Sequence, residues 1–182
     1  MGEATETVVL LGEDGTPIGH ERKDTVHGAD TPLHLAFSCY GFDADGRMLA
    51  TRRSAAKRTF PAVWTNTCCG HPGPGEFIES AVRRRLRTEL GLAARDLVCA
   101  LPTFRYRAES GGVVENEICP VYLCRLDGVP EPAPEEVDRF EWVEWPEYVS
   151  RAAREDSDLS PWSRLQVELL RDWGLVERFL NG

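Results

Sequence analysis

The stretch Gly70-His71-Pro72-Gly73-Pro74-Gly75-Glu76-Phe77-Ile78-Glu79-Ser80-Ala81-Val82-Arg83-Arg84-Arg85-Leu86-Arg87-Thr88-Glu89-Leu90-Gly91-Leu92 decides the fold. Pro72 to Gly75 is a rigid loop, since each proline fixes one backbone dihedral and each glycine supplies a tight turn. A helix is expected over residues 76–90. Ile78, Val82, Leu86 and Leu90 recur every fourth residue and form one apolar face. Gly91 stops the helix. Arg83, Arg84 and Arg87 read as a solvated face. Arg85 borders the apolar stripe, so it can reach inward, and it shares a face with Glu89 four residues on.

Outward from this helix the pattern is one of strands. Val8 to Leu11 and Thr16 to Arg22 read as a hairpin about Glu13-Asp14-Gly15. His34 to Phe42 and Arg47 to Arg52 form another about Asp43-Ala44-Asp45-Gly46. Beyond the helix, Leu97 to Tyr106 and Val113 to Leu126 are strands separated by Ser110-Gly111-Gly112. Pro130 to Glu136 is an acidic loop and Arg139 to Trp145 a last strand. Helices are expected near Glu147 to Arg154 and Pro161 to Trp173. Strands, a central helix, more strands and then helices predict an α+β fold, a mixed α/β/α sandwich around a central mixed sheet. Residues 1–182 are expected to form a single domain with its core at about 5–173.

Composition narrows the function. Hydrophobic residues make up 42% of 182 residues, enough for a sizeable core. The net charge is −9 and the pI about 5.0, which argues against nucleic acid or a membrane surface as a partner. No apolar run approaches the roughly 20 residues of a membrane span. Met1-Gly2-Glu3-Ala4-Thr5-Glu6 lacks a signal-peptide pattern, so a cytoplasmic location is expected. The six cysteines include no CxxC pair. Most read as small buried apolar residues. Cys69 differs, lying between Cys68 and Gly70 in what reads as a polar turn.

Three of the four histidines stand in metal-like contexts. His27 and His34 flank a proline turn. His71 follows Cys69 at the two-residue spacing that puts both on one side of an extended segment. Glu115 and Glu117 point to one face of a strand while Asn116 points away. Paired carboxylates in an apolar strand repel unless a cation or a shared proton lies between them. Imidazole with carboxylate suits Mn, Zn or Fe better than Mg or Ca. Beside such an ion Cys69 would be a nucleophile, a general base or a ligand, and spacing does not choose among these. Positive charge gathers at Arg52, Arg53, Lys57 and Arg58, on the helix, and at Lys23 near His27. That suits a multiply charged anion such as a diphosphate, with Mg2+ held by a carboxylate such as Glu89.

Gly70, Glu76, Arg84, Leu86, Glu89, Gly91 and Leu92 fall on the Nudix-box frame G-x5-E-x7-R-E-U-x-E-E-x-G-U. Arg85 and Thr88 stand where that frame has glutamates that hold metals for diphosphate hydrolysis. Six further segments occur in order: residues 27–37, Thr51-Arg52-Arg53, Trp64-Thr65-Asn66 through Cys69-Gly70-His71-Pro72, Phe104-Arg105-Tyr106-Arg107-Ala108, Glu115-Asn116-Glu117 and Ser160-Pro161-Trp162. Together they resemble the type I isopentenyl-diphosphate delta-isomerases over about residues 5–173.

The resemblance implies a Nudix-like fold and isomerisation of isopentenyl diphosphate to dimethylallyl diphosphate in isoprenoid biosynthesis. It implies that His27, His34, His71, Glu115 and Glu117 bind Mn2+ or Zn2+. Glu89 would help hold Mg2+ with the substrate diphosphate, and no flavin is needed. Lys23, Arg53, Lys57 and Arg85 match the diphosphate contacts. Cys69 and Glu117 would be the acid/base pair on opposite faces of the alkene, with Tyr106 beside Glu117 and Trp162 over the reacting carbons. Gly-His-Pro after Cys69 assigns the role to it rather than to Cys68. A monomer acting on a small molecule is expected. The rivals are a Nudix hydrolase of nucleotide diphosphate derivatives and a silent metal-binding domain.

Overall fold

A computed structural model describes residues 6–182. In chain order the elements are β1 (Thr7–Leu11), β2 (Pro17–Arg22), α1 (Lys23–Val26), β3 (His34–Leu35), β4 (Phe37–Phe42), β5 (Met48–Arg53), β6 (Trp64–Thr65) and β7 (Cys68–Gly70). There follow α2 (Ile78–Leu90), β8 (Ala93–Leu101), β9 (Arg105–Ser110), β10 (Val113–Ile118), β11 (Val121–Asp127), β12 (Val137–Val143), α3 (Trp145–Ala153), α4 (Pro161–Asp172) and α5 (Leu175–Asn181).

The expected α+β architecture is present, with mixed pairing, and the strands divide into two sheets. One runs β2-β1-β3-β10-β9; the other runs β12-β5-β4-β11-β8, with β6 on β5 and β7 on β4. Two long strand runs pass from one sheet to the other. The run from His34 bends at Ala36, and the run from Val113 bends at Cys119-Pro120. Proline cannot continue a ladder because it has no N–H to give. The runs stay parallel neighbours on both sides of the bend: His34 pairs with Glu117 before it, and Ser38 with Val121 after it. The single strand expected over Leu97 to Tyr106 is likewise broken, by the turn that separates β8 from β9.

Strand alternation builds the layers. Phe37 and Cys39 of β4, with Tyr122 and Cys124 of β11, face Val82, Leu86 and Leu90 of α2. Tyr40, Phe42, Val121 and Leu123 point the other way, toward Trp145, Tyr148, Val167 and Leu170 of α3 and α4. Both faces are covered, so β4 is buried throughout. The helix expected from Glu76 begins at Ile78. Glu76 instead clamps the loop, accepting from Gly73 N at 2.8 Å and pairing with Arg84 at 2.8 Å. Gly91 ends α2 in the left-handed region (φ 68°), with Leu92 N–H donating back to Leu86 O at 3.2 Å.

Four short elements escape the sequence pattern: α1, β6, β7 and α5. Each has too few residues to show a period. Cys69 lies in β7, so the polar turn expected around it is a strand. The packed structure extends past residue 173, since Val176 of α5 is buried and Phe179 packs on Phe42 at 6.0 Å. No helix among the described residues is long and apolar enough to cross a membrane.

Candidate active site

The site forms where the two sheets part. The smaller sheet supplies His34, Glu115, Glu117 and Tyr106. The larger supplies Cys69, and His71 follows it. Register places these groups: Glu117 pairs with His34 on one side and with Tyr106 on the other. Ser38 pairs with Cys69 across β4 and β7.

His27, His34 and His71 converge, with ring centroids 5.1 to 5.7 Å apart. Together with Glu117 they offer ligand atoms that all lie within 4.8 Å of one another. Tautomers follow from the backbone. His27 Nδ1 lies 3.3 Å from Lys23 O, and His34 Nδ1 lies 2.9 Å from Pro32 O. A carbonyl oxygen only accepts, so both Nδ1 atoms carry the hydrogen and both Nε2 atoms present a lone pair. Among the described residues those Nε2 atoms are buried without a hydrogen-bond partner, as are His71 Nδ1 and Glu115 Oε2. Yet His27 Nε2 is 3.1 Å from Glu115 and His34 Nε2 is 3.3 Å from Glu117. Lone pairs facing carboxylates in a dry site call for a proton or a metal cation between them, and three imidazoles converging on one carboxylate suit a metal. The residues therefore fit a divalent metal, with His27, His34, His71 and Glu117 as the cluster able to hold it and Glu115 beside His27.

The electrostatics agree. Burial raises Glu117, but the neighbouring His34 and His71 imidazoles outweigh it, holding its carboxyl well below the usual carboxylate range. Burial drives His71 down to about 4 despite the pull of Glu117, so this imidazole is neutral at pH 7. Tyr106 donates its hydroxyl to Glu117 Oε2 at 2.8 Å. Burial, then the charge on Glu117, raises the Tyr106 phenol well above its ordinary value.

Cys69 opens on the same cavity of about 790 Å3, while Cys68 does not line it. Alternation along β7 turns Cys68 into the α2 core, 3.9 Å from Glu89, and turns Cys69 outward. Burial pushes the Cys69 thiol up to about 11. Trp162 lies at the cavity too. Ser160 caps α4 by accepting from Ser163 N at 3.3 Å, and Ser160 N donates to Trp64 O at 2.7 Å, which fixes the first turn that carries Trp162. The indole meets Phe60 edge-on at 5.1 Å and Tyr106 at 5.7 Å. Phe60 reaches it from a strained left-handed backbone (φ 45°), held by Arg53 Nε donating to Phe60 O at 3.0 Å.

Lys23, Arg53, Lys57 and Arg85, the cations that the sequence picks out, all line the cavity, and Arg58 joins them. They are met by two carboxylates it did not single out. Glu6 pairs with Lys23 at 2.5 Å and with Arg85 at 2.7 Å. Burial raises Glu6, but the Lys23 charge and hydrogen bond outweigh it and take it down to about 2. Glu136 pairs with Lys57 and lies 3.3 Å from Arg85. Neither acid carries a motif, and only folding brings them to the cations. Glu89 does not line the cavity. It is buried behind Arg85, to which it is ion-paired.

A two-sheet sandwich with a Gly70-to-Leu92 loop and helix beneath a charged cavity defines a class: the family model for the NUDIX domain matches residues 32–164, and the chain belongs to that family. Solved structures agree on the fold. The Deinococcus radiodurans protein DR0079 superposes with a TM-score of 0.67 over 92% of this chain and 98% of its own, at 19% identity. A MutT protein from Methanosarcina mazei gives 0.62 over 79% of this chain and 96% of its own, at 18% identity.

Within that class the chain belongs to the isopentenyl-diphosphate Delta-isomerase family. The isomerase of Mycolicibacterium vanbaalenii is 53% identical over 177 residues, covering 97% of each chain. That of Frankia alni is 56% identical over 162 residues, covering 88% of this chain and 84% of its own.

Proposed function

We infer that this chain is an isomerase that converts isopentenyl diphosphate to dimethylallyl diphosphate, the step that supplies the allylic unit of isoprenoid synthesis. One observation carries the roles of its residues: Cys69 and Glu117, from different sheets, open on one cavity that Trp162 and the cations Lys23, Arg53, Lys57 and Arg85 also line. Moving the double bond adds a proton at one carbon and removes one from another. Protonation of an unactivated alkene leaves a tertiary carbocation, costly in an apolar pocket unless a π-face or a carboxylate is near. Trp162 offers the face and Glu117 the charge. Close packing by Phe60 and Tyr106 excludes water that would trap the cation as an alcohol. A thiol and a carboxyl on opposite sides can exchange donor and acceptor roles, so the reaction runs both ways.

Lys23, Arg53, Lys57 and Arg85 are assigned to the diphosphate, which would displace Glu6 and Glu136 from them. Mn2+ or Zn2+ is assigned to the cluster of histidines with Glu117 and Glu115. When bound, that ion fixes the aim of the carboxylate and tunes its acidity. Mg2+ is assigned to the substrate diphosphate; Glu89 can help hold it only after Arg85 turns toward the substrate. Every group comes from one chain, so the scheme needs one domain and no second subunit. Six free cysteines suit the reducing cytoplasm.

Purified protein incubated with isopentenyl diphosphate and Mg2+ should yield the acid-labile allylic diphosphate. Release of phosphate or mononucleotide from common nucleotides, with no allylic product, would instead establish a hydrolase. The arginine at 85, in a position where the Nudix box has a metal-holding glutamate, favours the isomerase.

A further inference from the structure

We propose that Asn66 and Ser38 are positioning residues for the isomerisation, together fixing Cys69 Sγ, while Asn66 also fixes the Trp162 indole against the same few ångströms of pocket. This rests on the roles given to Cys69 and Trp162 above. Asn66 is fully buried between β6 and β7. Both hydrogens of its amide are committed, to Cys39 O at 3.0 Å and to Cys68 O at 2.8 Å. The amide therefore has one orientation, and Oδ1 can only accept. Cys69 Sγ and Trp162 Nε1 each lie 3.2 Å from that oxygen. Thr65 Oγ1 donates to it as well, at 2.8 Å. The indole N–H can only donate, so Asn66 is a fixed point to which ring and sulfur are both tied.

Ser38 Oγ also meets the sulfur, 3.4 Å away. Its own orientation is set in turn. Gln166 Nε2 donates to Ser38 Oγ at 2.9 Å, while Gln166 Oε1 accepts from Tyr40 OH at 2.9 Å, so the glutamine cannot flip. With Gln166 on its lone pair, the Ser38 hydroxyl hydrogen is left for sulfur, either Cys69 or Cys119, each at 3.4 Å. Neither Asn66 nor Ser38 lines the cavity, so they act through Cys69 and Trp162. Buried polar side chains that converge on one sulfur and one ring, where an apolar core would pack as well, mark a requirement for aim.

The test is steady-state kinetics on the metal-loaded enzyme with isopentenyl diphosphate, alongside thermal unfolding. Asn66→Ala should lower kcat roughly 10- to 100-fold, and Ser38→Ala several-fold, with KM within about twofold because the diphosphate is held elsewhere. In a Cys69→Ala background, Ser38→Ala should cost nothing further, since its action runs through the thiol. Should Asn66→Ala not fold, Ser38→Ala and Trp162→Phe carry the test, the latter deleting the N–H that Asn66 receives while keeping an aromatic ring. Folded variants with wild-type kcat, beside a Cys69→Ala that keeps only residual turnover, overturn the proposal and leave the functional assignment standing. A fully active Cys69→Ala overturns both.

Discussion

Glu117 is the most connected residue of the site. One carboxyl oxygen faces His34 and His71 and the other takes the Tyr106 hydroxyl. Glu117→Gln keeps the shape but removes the charge and the exchangeable proton, so kcat should fall by about 10²–10⁴-fold. Turnover of the purified, folded variant checks this, and full activity would remove Glu117 from the acid/base pair. Cys69 gives a pH prediction. Its folded value near 11 exceeds the ordinary 9.0, so the native state holds this proton more tightly than the unfolded chain. That contribution to stability is complete below pH 9 and is lost as pH rises toward 11. Alkylation of Cys69 in metal-free protein, mapped by peptide mass, should accelerate toward pH 11 and not level off near pH 9.

At the scale of the element, α2 shows how a hydrolase frame can be turned to another use. Arg85 and Glu89 are both 7% exposed and form an i,i+4 pair of which only Arg85 lines the cavity. Removing one member leaves the other charged in a dry place. Arg85→Met should therefore cost about 3–5 kcal/mol at neutral pH, measured by denaturant unfolding. Burial already raises Glu89, against the opposing pull of Arg85. Without Arg85 the carboxyl holds its proton more tightly than in the unfolded chain. The variant's deficit should then shrink as pH falls toward the ordinary carboxylate value; a deficit independent of pH would mean that Glu89 is not its source. Gly70 fits the same element. A Cβ there would lie 3.0 Å from Arg85 Cγ and 3.0 Å from Phe37 Cζ, so the strand carrying Cys69 can approach α2 only through glycine.

At the scale of the molecule, the metal cluster joins two sheets. His34 and Glu117 belong to one, while His71 extends from β7 of the other. An ion bound there ties the sheets together in the folded state alone. Stripping metal with a chelator should lower Tm, and returning Mn2+ or Zn2+ at 100 times its Kd should restore about 2.7 kcal/mol. For a chain of this size that is a shift of roughly 5–10 °C. His71→Ala should abolish the response. An equal response in that variant would place the stabilising ion elsewhere.

The amino-acid order by itself determined a good deal: the apolar face of α2 and its stop at Gly91, the hairpins, the alternation in β10 that puts Glu115 and Glu117 on one face, and the histidines as metal-like. These are local or periodic properties, written in neighbouring residues. Only the tertiary structure decided that the long strand runs bend at Ala36 and Pro120 into separate sheets, because pairing partners lie far off in the chain. It alone decided that Glu6 and Glu136 pair with the cations of the cavity, that Glu89 sits behind Arg85, and that Asn66 holds both Cys69 and Trp162. Hydrogen bonds between residues 31 and 128 positions apart, such as Ser38 with Cys69 and Gln166 with Ser38, leave no period to read. Their geometry exists only once burial has brought donors and acceptors together and made each unmet one costly.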